Sequence, residues 1–258
     1  MAEVLIGTSG FYYDDWKGIF YPEGLHKRDY LEYYANHFQT LELNYTYYRL
    51  PETKQSQKMV SRSSGKIDFV VKAFRGITHD ISKDSITEIL PRFIDGIAPF
   101  VDRKRLAGIL LQFPQSFHYT PENRIYLKSL IEKISPLQTF IEFRGKQWLK
   151  ESVYKALREL NAGFVCVDEP ALPSLIPPLS ISTSNLSYIR FHGRNKKNWY
   201  GTDSRSRYDY LYSEDELEEW LSGIKELKKN TEKLYVFFNN HAKSQAVTNA
   251  KMLINLLK

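Results

Sequence analysis

The chain has 258 residues, 42% of them hydrophobic and 26% charged, which is enough apolar material for a real core and unlike a disordered or fibrous chain. Its 36 Lys and Arg against 30 Asp and Glu leave a net charge of +6, spread along the sequence. That excess serves solubility, is compatible with an anionic partner, and forms no basic tail of the kind that grips nucleic acid.

Short β-rich runs and helical patterns alternate from one end to the other. The first strand is expected at Val4–Thr8. Only Met1, Ala2 and Glu3 precede it, with no basic region or long apolar segment, so no secretory signal is expected. No run approaches the ~18 apolar residues of a membrane helix. The second strand is Thr40–Asn44; the connection 53–64 that follows offers little beyond Met59 and Val60. After a third strand at Asp68–Ala73, Ser85 with Glu88 reads as a capping box before Ile89, Leu90, Phe93, Ile94 and Ile97. Pro91 should kink or restart that helix.

Ala107–Phe113 is the fourth strand, and Pro121 then suits a first helical position ahead of Leu127, Leu130, Ile131 and Ile134. Thr139–Arg144 and Gly163–Asp168 are strands five and six. The proline-rich stretch Pro170–Pro178 lies between apolar runs and reads as a connection within one domain, holding no full helix. Strand seven is Ser187–His192. Ser213 with Glu216 forms a second capping box before Leu217, Trp220, Leu221, Ile224 and Leu227. Strand eight, Leu234–Asn239, precedes a last helix with Val247, Ala250, Leu253, Ile254 and Leu257 on one face.

Eight near-continuous apolar strands alternating with helices imply a parallel sheet, and eight parallel strands close a barrel. The expected fold is one (β/α)8 barrel filling residues 1–258, a length typical of that architecture. Two smaller domains, or an open doubly wound sheet, are the alternatives. The second of these usually has G-x-G-x-x-G after its first strand, whereas Gly7-Thr8-Ser9-Gly10 lacks that spacing. The single cysteine, Cys166, allows no internal disulfide and fits a cytoplasmic setting. Within Phe164-Val165-Cys166-Val167 it reads as an inert core thiol.

Polar residues gather at the C-terminal ends of the strands. They are Glu42 and Asn44 on the second, Lys72 on the third, Gln112 on the fourth and Glu142 and Arg144 on the fifth. Asp168 ends the sixth; Arg190, His192 and Arg194 end the seventh, and Asn239 and Asn240 the eighth. In Leu41-Glu42-Leu43-Asn44, Ile141-Glu142-Phe143-Arg144 and Ile189-Arg190-Phe191-His192 polar and apolar residues alternate, so each polar set shares one face. The apolar face must meet the helices, which leaves the polar set pointing into the barrel mouth, where barrel enzymes hold their chemistry. Tyrosines and tryptophans crowd the same connections, as a roof or as pocket walls.

These residues also resemble a known family, the domain of unknown function 72 (YecE-like) family. The matching pieces include Gly7-Thr8-Ser9-Gly10-Phe11 with Trp16, Glu42-Leu43-Asn44 with Tyr48, and Val71-Lys72-Ala73 with Thr78-His79. Gln112-Phe113-Pro114, Glu142-Phe143-Arg144 with Trp148, Arg190-Phe191-His192-Gly193-Arg194 and Phe238-Asn239-Asn240 continue the match in order. The resemblance implies a TIM barrel and no particular activity. At the level of fold that family is similar to endonuclease-IV-like and sugar-isomerase-like barrels, an analogy that does not carry function.

Three readings of the mouth follow. In the first it takes a phosphorylated or nucleic-acid-derived anion and catalytic roles fall to Glu42, Glu142, Asp168 and His192, as in a phosphoester hydrolase. Asn44, Lys72, Gln112, Arg144, Arg190, Arg194, Asn239 and Asn240 then bind the ligand, with the anion expected beside Arg190 and Arg194. His192 is the sole histidine on the barrel wall, so no metal site is expected, and nothing in the sequence specifies a cofactor. The second reading is carbohydrate chemistry on a carboxylate pair such as Glu42 and Glu142, which neighbouring arginines disfavour by opposing a general acid. The third is a non-catalytic binding protein using the same pocket.

Overall fold

The computed structural model describes residues 2–201 and 204–258. Its eight strands are β1 (Glu3–Ser9), β2 (Thr40–Leu43), β3 (Asp68–Lys72), β4 (Leu106–Gln112), β5 (Thr139–Glu142), β6 (Gly163–Asp168), β7 (Leu186–Phe191) and β8 (Lys233–Phe238). They close in sequence order into one barrel, every neighbouring pair parallel and β8 returning to β1. Each expected strand is present within about two residues of its boundaries, the ordinary scatter of element ends. No helix among the described residues is long and apolar enough to cross a membrane.

Register fixes which side chains face inward. Ser9 stands opposite Glu42, Glu42 opposite Val70, Gln112 opposite Glu142, and Val167 opposite Arg190, all on the inner face. The middle of the barrel is plugged by rings: Phe140 packs on Tyr188 at 4.7 Å, and Tyr188 on Phe237 at 5.1 Å. Those rings form a floor beneath the polar layer. Outward faces carry Phe113, Phe143, Phe191 and Phe238, buried against the surrounding helices. Cys166 is buried on that outer side beside Ile181, and burial pushes its thiol up to about 12, so it is a core thiol.

Helices depart from expectation at two places. Residues Thr53–Arg62 form a full helix with only Ser56 and Met59 buried. It packs through closeness rather than bulk: Ser56 Oγ donates to Gly96 O at 2.7 Å. A Cβ on Gly96 would lie 2.2 Å from Pro51 O, so glycine is what permits the approach. Gly96→Ala is therefore expected to cost about 1–3 kcal/mol of stability by overpacking, read as a lower urea midpoint.

The second departure is Ser85, which does not cap a helix. Its hydroxyl is buried and donates to Gly76 O, and residues Ser85–Ile89 wind as a π-turn. Pro91 restarts the chain as the α-helix Leu90–Asp102, as expected from its missing N–H. Ser213 and Glu216 do form a capping box, and Thr120 caps the helix that begins at Pro121. The stretch between β6 and β7 holds no helix.

Candidate functional site

At the C-terminal mouth the inner side chains form a layered charge network. At its centre lies Arg190, whose Nη2 donates to Glu42 Oε1 and Nη1 to Glu142 Oε2, both at 2.6 Å, with all three residues buried. Tyr188, two residues back on the same face, donates its hydroxyl to the other Glu42 oxygen. Arg144 sits one layer higher, its Nη2 2.8 Å from Glu142 Oε1 and its Nη1 donating to Glu169 Oε2 at 2.7 Å. Burial opposes ionisation of Glu142, but Arg144, Arg190 and His192 outweigh it and hold the carboxyl well below the usual range. Such a group cannot deliver a proton as a general acid.

His192 completes this wall, with Nε2 3.2 Å from Glu142 Oε1 and Nδ1 3.2 Å from the Asn239 amide nitrogen. Nε2 also lies 3.2 Å from Arg144 Nη2, which can only donate, so that nitrogen can accept from the guanidinium. Burial, reinforced by Arg144, pushes the imidazole down to about 3, so His192 is neutral at physiological pH. Lys72 is held differently. Its Nζ donates to Gln112 Oε1 at 2.9 Å and lies 4.4 Å above the Tyr47 ring, and no carboxylate among the described residues is within ion-pair distance. Gln112 is itself fixed by donating to Phe113 O.

Above the network opens a cavity of about 440 Å³, the size of an ordinary small-molecule site. Lys72, Arg144 and Arg190 reach its wall together with Asn44 and Asn239, while no Asp or Glu among the described residues does. Tyr12, Tyr13, Tyr45, Tyr47, Tyr48 and Tyr208 supply most of the remaining wall with His241, whose ring stacks on Tyr13 at 4.5 Å. Of the aromatic connections, these line the cavity, whereas Trp16, Trp148 and Tyr212 are buried in the packing around the barrel. Buried Asn44 Oδ1, Ser9 Oγ and Arg190 Nε have no protein partner, which costs about 1–3 kcal/mol each unless something else satisfies them.

Three expected members do not belong to this group. Asp168 stands opposite Phe191 on the outer face, and its carboxylate accepts from Tyr212 Oη and Trp220 Nε1, each at 2.7 Å. Arg194 joins it there, 2.7 Å from Asp168 Oδ2 and 2.8 Å from Glu219. The strand alternation that would have aimed Arg194 inward is broken by Gly193, whose φ of +88° turns the chain. Asn240 also points outward, donating to Tyr210 O and Asn249 Oδ1. An anion bridging Arg190 and Arg194 is thus excluded by their lying on opposite faces of the wall.

The residue missed is Glu169, next to Asp168. Its Oε1 accepts from Ile176 N at 2.9 Å and its Oε2 from Arg144, so it ties the helix-free connection to the mouth. Burial pushes its carboxyl up, against the pull of Arg144. Among the described residues, no three His, Cys, Asp or Glu side chains converge to hold a metal ion.

The family model described as a protein of unknown function, DUF72, matches residues 5–258. The chain belongs to the DUF72 family. This DUF72 chain is 30% identical to the UPF0759 protein YunF of Bacillus subtilis, over 98% of its own length and 94% of that protein's. It is similar to the crystal structure of a DUF72 family protein from Thermotoga maritima, with a TM-score of 0.91 and 39% identity over 99% of both chains. A DUF72 family protein from Enterococcus faecalis aligns at a TM-score of 0.86 and 26% identity, over 98% of this chain and 95% of its own.

Proposed function

We propose that the mouth of this DUF72 barrel binds a small anionic molecule, its charged group against Arg144 and Lys72 and its body against the tyrosine wall. One observation carries the reading: three cations reach the cavity wall and no carboxylate among the described residues does, Glu42 and Glu142 being buried against Arg190. A cation in an enclosed mouth attracts an anion more strongly than the same charge on open surface. The carbohydrate reading loses support, since Glu42 and Glu142 are both clamped by Arg190. Phosphoester hydrolysis would call on Glu142 and neutral His192, yet neither reaches the cavity wall and neither is placed as a free base; binding is the reading favoured.

Titration calorimetry with inorganic phosphate, pyruvate and a mononucleotide tests this. At least one should bind, and Lys72→Met should weaken it by about tenfold, the loss of one charged contact worth ~1.4 kcal/mol. Arg194→Ala should leave the affinity unchanged. Burial, reinforced by Arg190, pushes the Lys72 ammonium down to about 7. A bound anion favours the charged form, so binding should take up a proton and weaken as pH rises through 7. Equal affinity in parent and Lys72→Met, or no binding by any of the three, overturns the proposal.

A further inference from the structure

The amine of Lys72 stands apart from every other lysine in the chain. It sits at the C-terminal end of β3 on the inner face, reaches the cavity wall, and is half-buried. Its hydrogen-bond acceptor is a neutral amide oxygen, Gln112 Oε1, where the arginines beside it have carboxylates. The charged groups that face it are Arg190 and Arg144, which oppose its protonation, and Glu142 and Glu42, which favour it but lie beneath, bound to those arginines. On the solvent side the nearest groups are the Tyr47 ring and, packed on that ring at 4.9 Å, His79. Burial, reinforced by Lys72, pushes His79 down to about 4, so it adds no charge near neutral pH.

We infer that Lys72 is a nucleophile that forms an imine with the carbonyl carbon of a 2-oxo acid whose carboxylate rests on Arg144. The inference rests on the anion reading above and names the ligand class of that same site. An amine becomes a nucleophile at neutral pH when desolvation and neighbouring cations keep part of it unprotonated, and the position of Lys72 near pH 7 supplies that fraction. With one N–H donated to Gln112, the neutral amine retains its lone pair for a partner in the cavity. Arg144 reaches the cavity wall with 13% of its side chain open, so its charge and the N–H groups not given to Glu142 and Glu169 are available to a ligand carboxylate. A 2-oxo acid presents a carboxylate for a cation and, on the adjacent carbon, a carbonyl for an amine, and this cavity wall offers both.

The step balances without a further reactant. The Nζ lone pair bonds to the carbonyl carbon while the C=O π pair moves to oxygen, and a proton passing from nitrogen to oxygen gives the carbinolamine. The nitrogen lone pair then closes the C=N bond as the hydroxyl departs, taking the second amine proton. One water leaves, carrying the carbonyl oxygen and both amine hydrogens, and the imine then takes a proton from solvent near neutral pH.

Borohydride trapping of the full chain with pyruvate and with phenylpyruvate, followed by peptide mass mapping, tests the step. The reduced adduct should appear on the peptide carrying Lys72 at up to one equivalent. Lys72→Arg keeps the cation and removes the nucleophile, so it should still bind the oxo acid by calorimetry while the adduct falls by at least about tenfold. Oxo acids that bind the parent protein without trapping, or label that persists in Lys72→Arg, overturn the imine and leave anion binding intact. Phosphate binding without oxo-acid binding also overturns the imine alone. Absence of binding by every anion removes both readings together.

Discussion

Replacing Arg190 by Ala is expected to lower the free energy of unfolding by about 3–5 kcal/mol, the usual cost of removing one partner from a buried ion network. The guanidinium is nearly inaccessible and bonds two carboxylates at 2.6 Å, one from β2 and one from β5, across the barrel interior. Without it, Glu42 keeps the Tyr188 hydroxyl and Glu142 keeps Arg144, but one buried negative charge loses its compensation. Arg190→Lys should recover only part of the loss, because a point charge on a flexible stem cannot span both carboxylates as a planar fork does. The pH dependence has a definite sign. The folded-state pKa of Glu142 is depressed, so its stabilising share is present above the ordinary glutamate range and is lost as pH falls through the depressed value. The difference between parent and variant should therefore narrow in acid. Urea unfolding at pH 7 and in acid measures both, and a loss below about 1 kcal/mol at pH 7 would show that the network contributes little.

How much of this could be read in the chain depends on whether a strand carries a phase marker. Glu42, Glu142, Arg190 and His192 each alternate with Leu, Ile or Phe, and all four point inward as that alternation requires. In Gly163-Phe164-Val165-Cys166-Val167-Asp168-Glu169 both faces are apolar until the end, because a parallel strand is buried on both sides. Two adjacent acids then offer no clue to which faces in, and the register makes it Glu169. Alternation also holds only while the chain remains a strand, and Gly193 ends it before Arg194. Helix 53–62 is faint in the sequence because its contact with the helix Leu90–Asp102 is a serine against a glycine, which leaves no apolar stripe. The Ser85 pattern misled for the converse reason: its hydroxyl serves a tertiary contact rather than the helix start.

The outward cluster around Asp168 leads to the last expected result: Asp168→Ala should destabilise the fold strongly and leave anion affinity unchanged. Its two oxygens receive Tyr212 Oη, Trp220 Nε1 and the Arg194 guanidinium, joining the end of β6 to the connection after β7 and to the turn before the helix Leu221–Asn230. Arg194 would keep Glu219 and is partly exposed, so it tolerates the loss. The tyrosine hydroxyl and the indole N–H are buried, although Tyr212 also accepts from Gly193 N. At about 1–3 kcal/mol for each buried donor left unpaired, the sum is a few kcal/mol, well above a typical surface substitution. Asp168→Asn should cost less, since one carbonyl oxygen still accepts, though its amide cannot accept from a second donor. Thermal unfolding gives the stability change and phosphate or pyruvate calorimetry the affinity. A variant that stays as stable as the parent yet binds the anion tenfold more weakly would return Asp168 to the ligand site. The opposite pattern fits a carboxylate that pins Tyr212 and Trp220 behind the barrel wall, with the mouth in front of that wall unchanged.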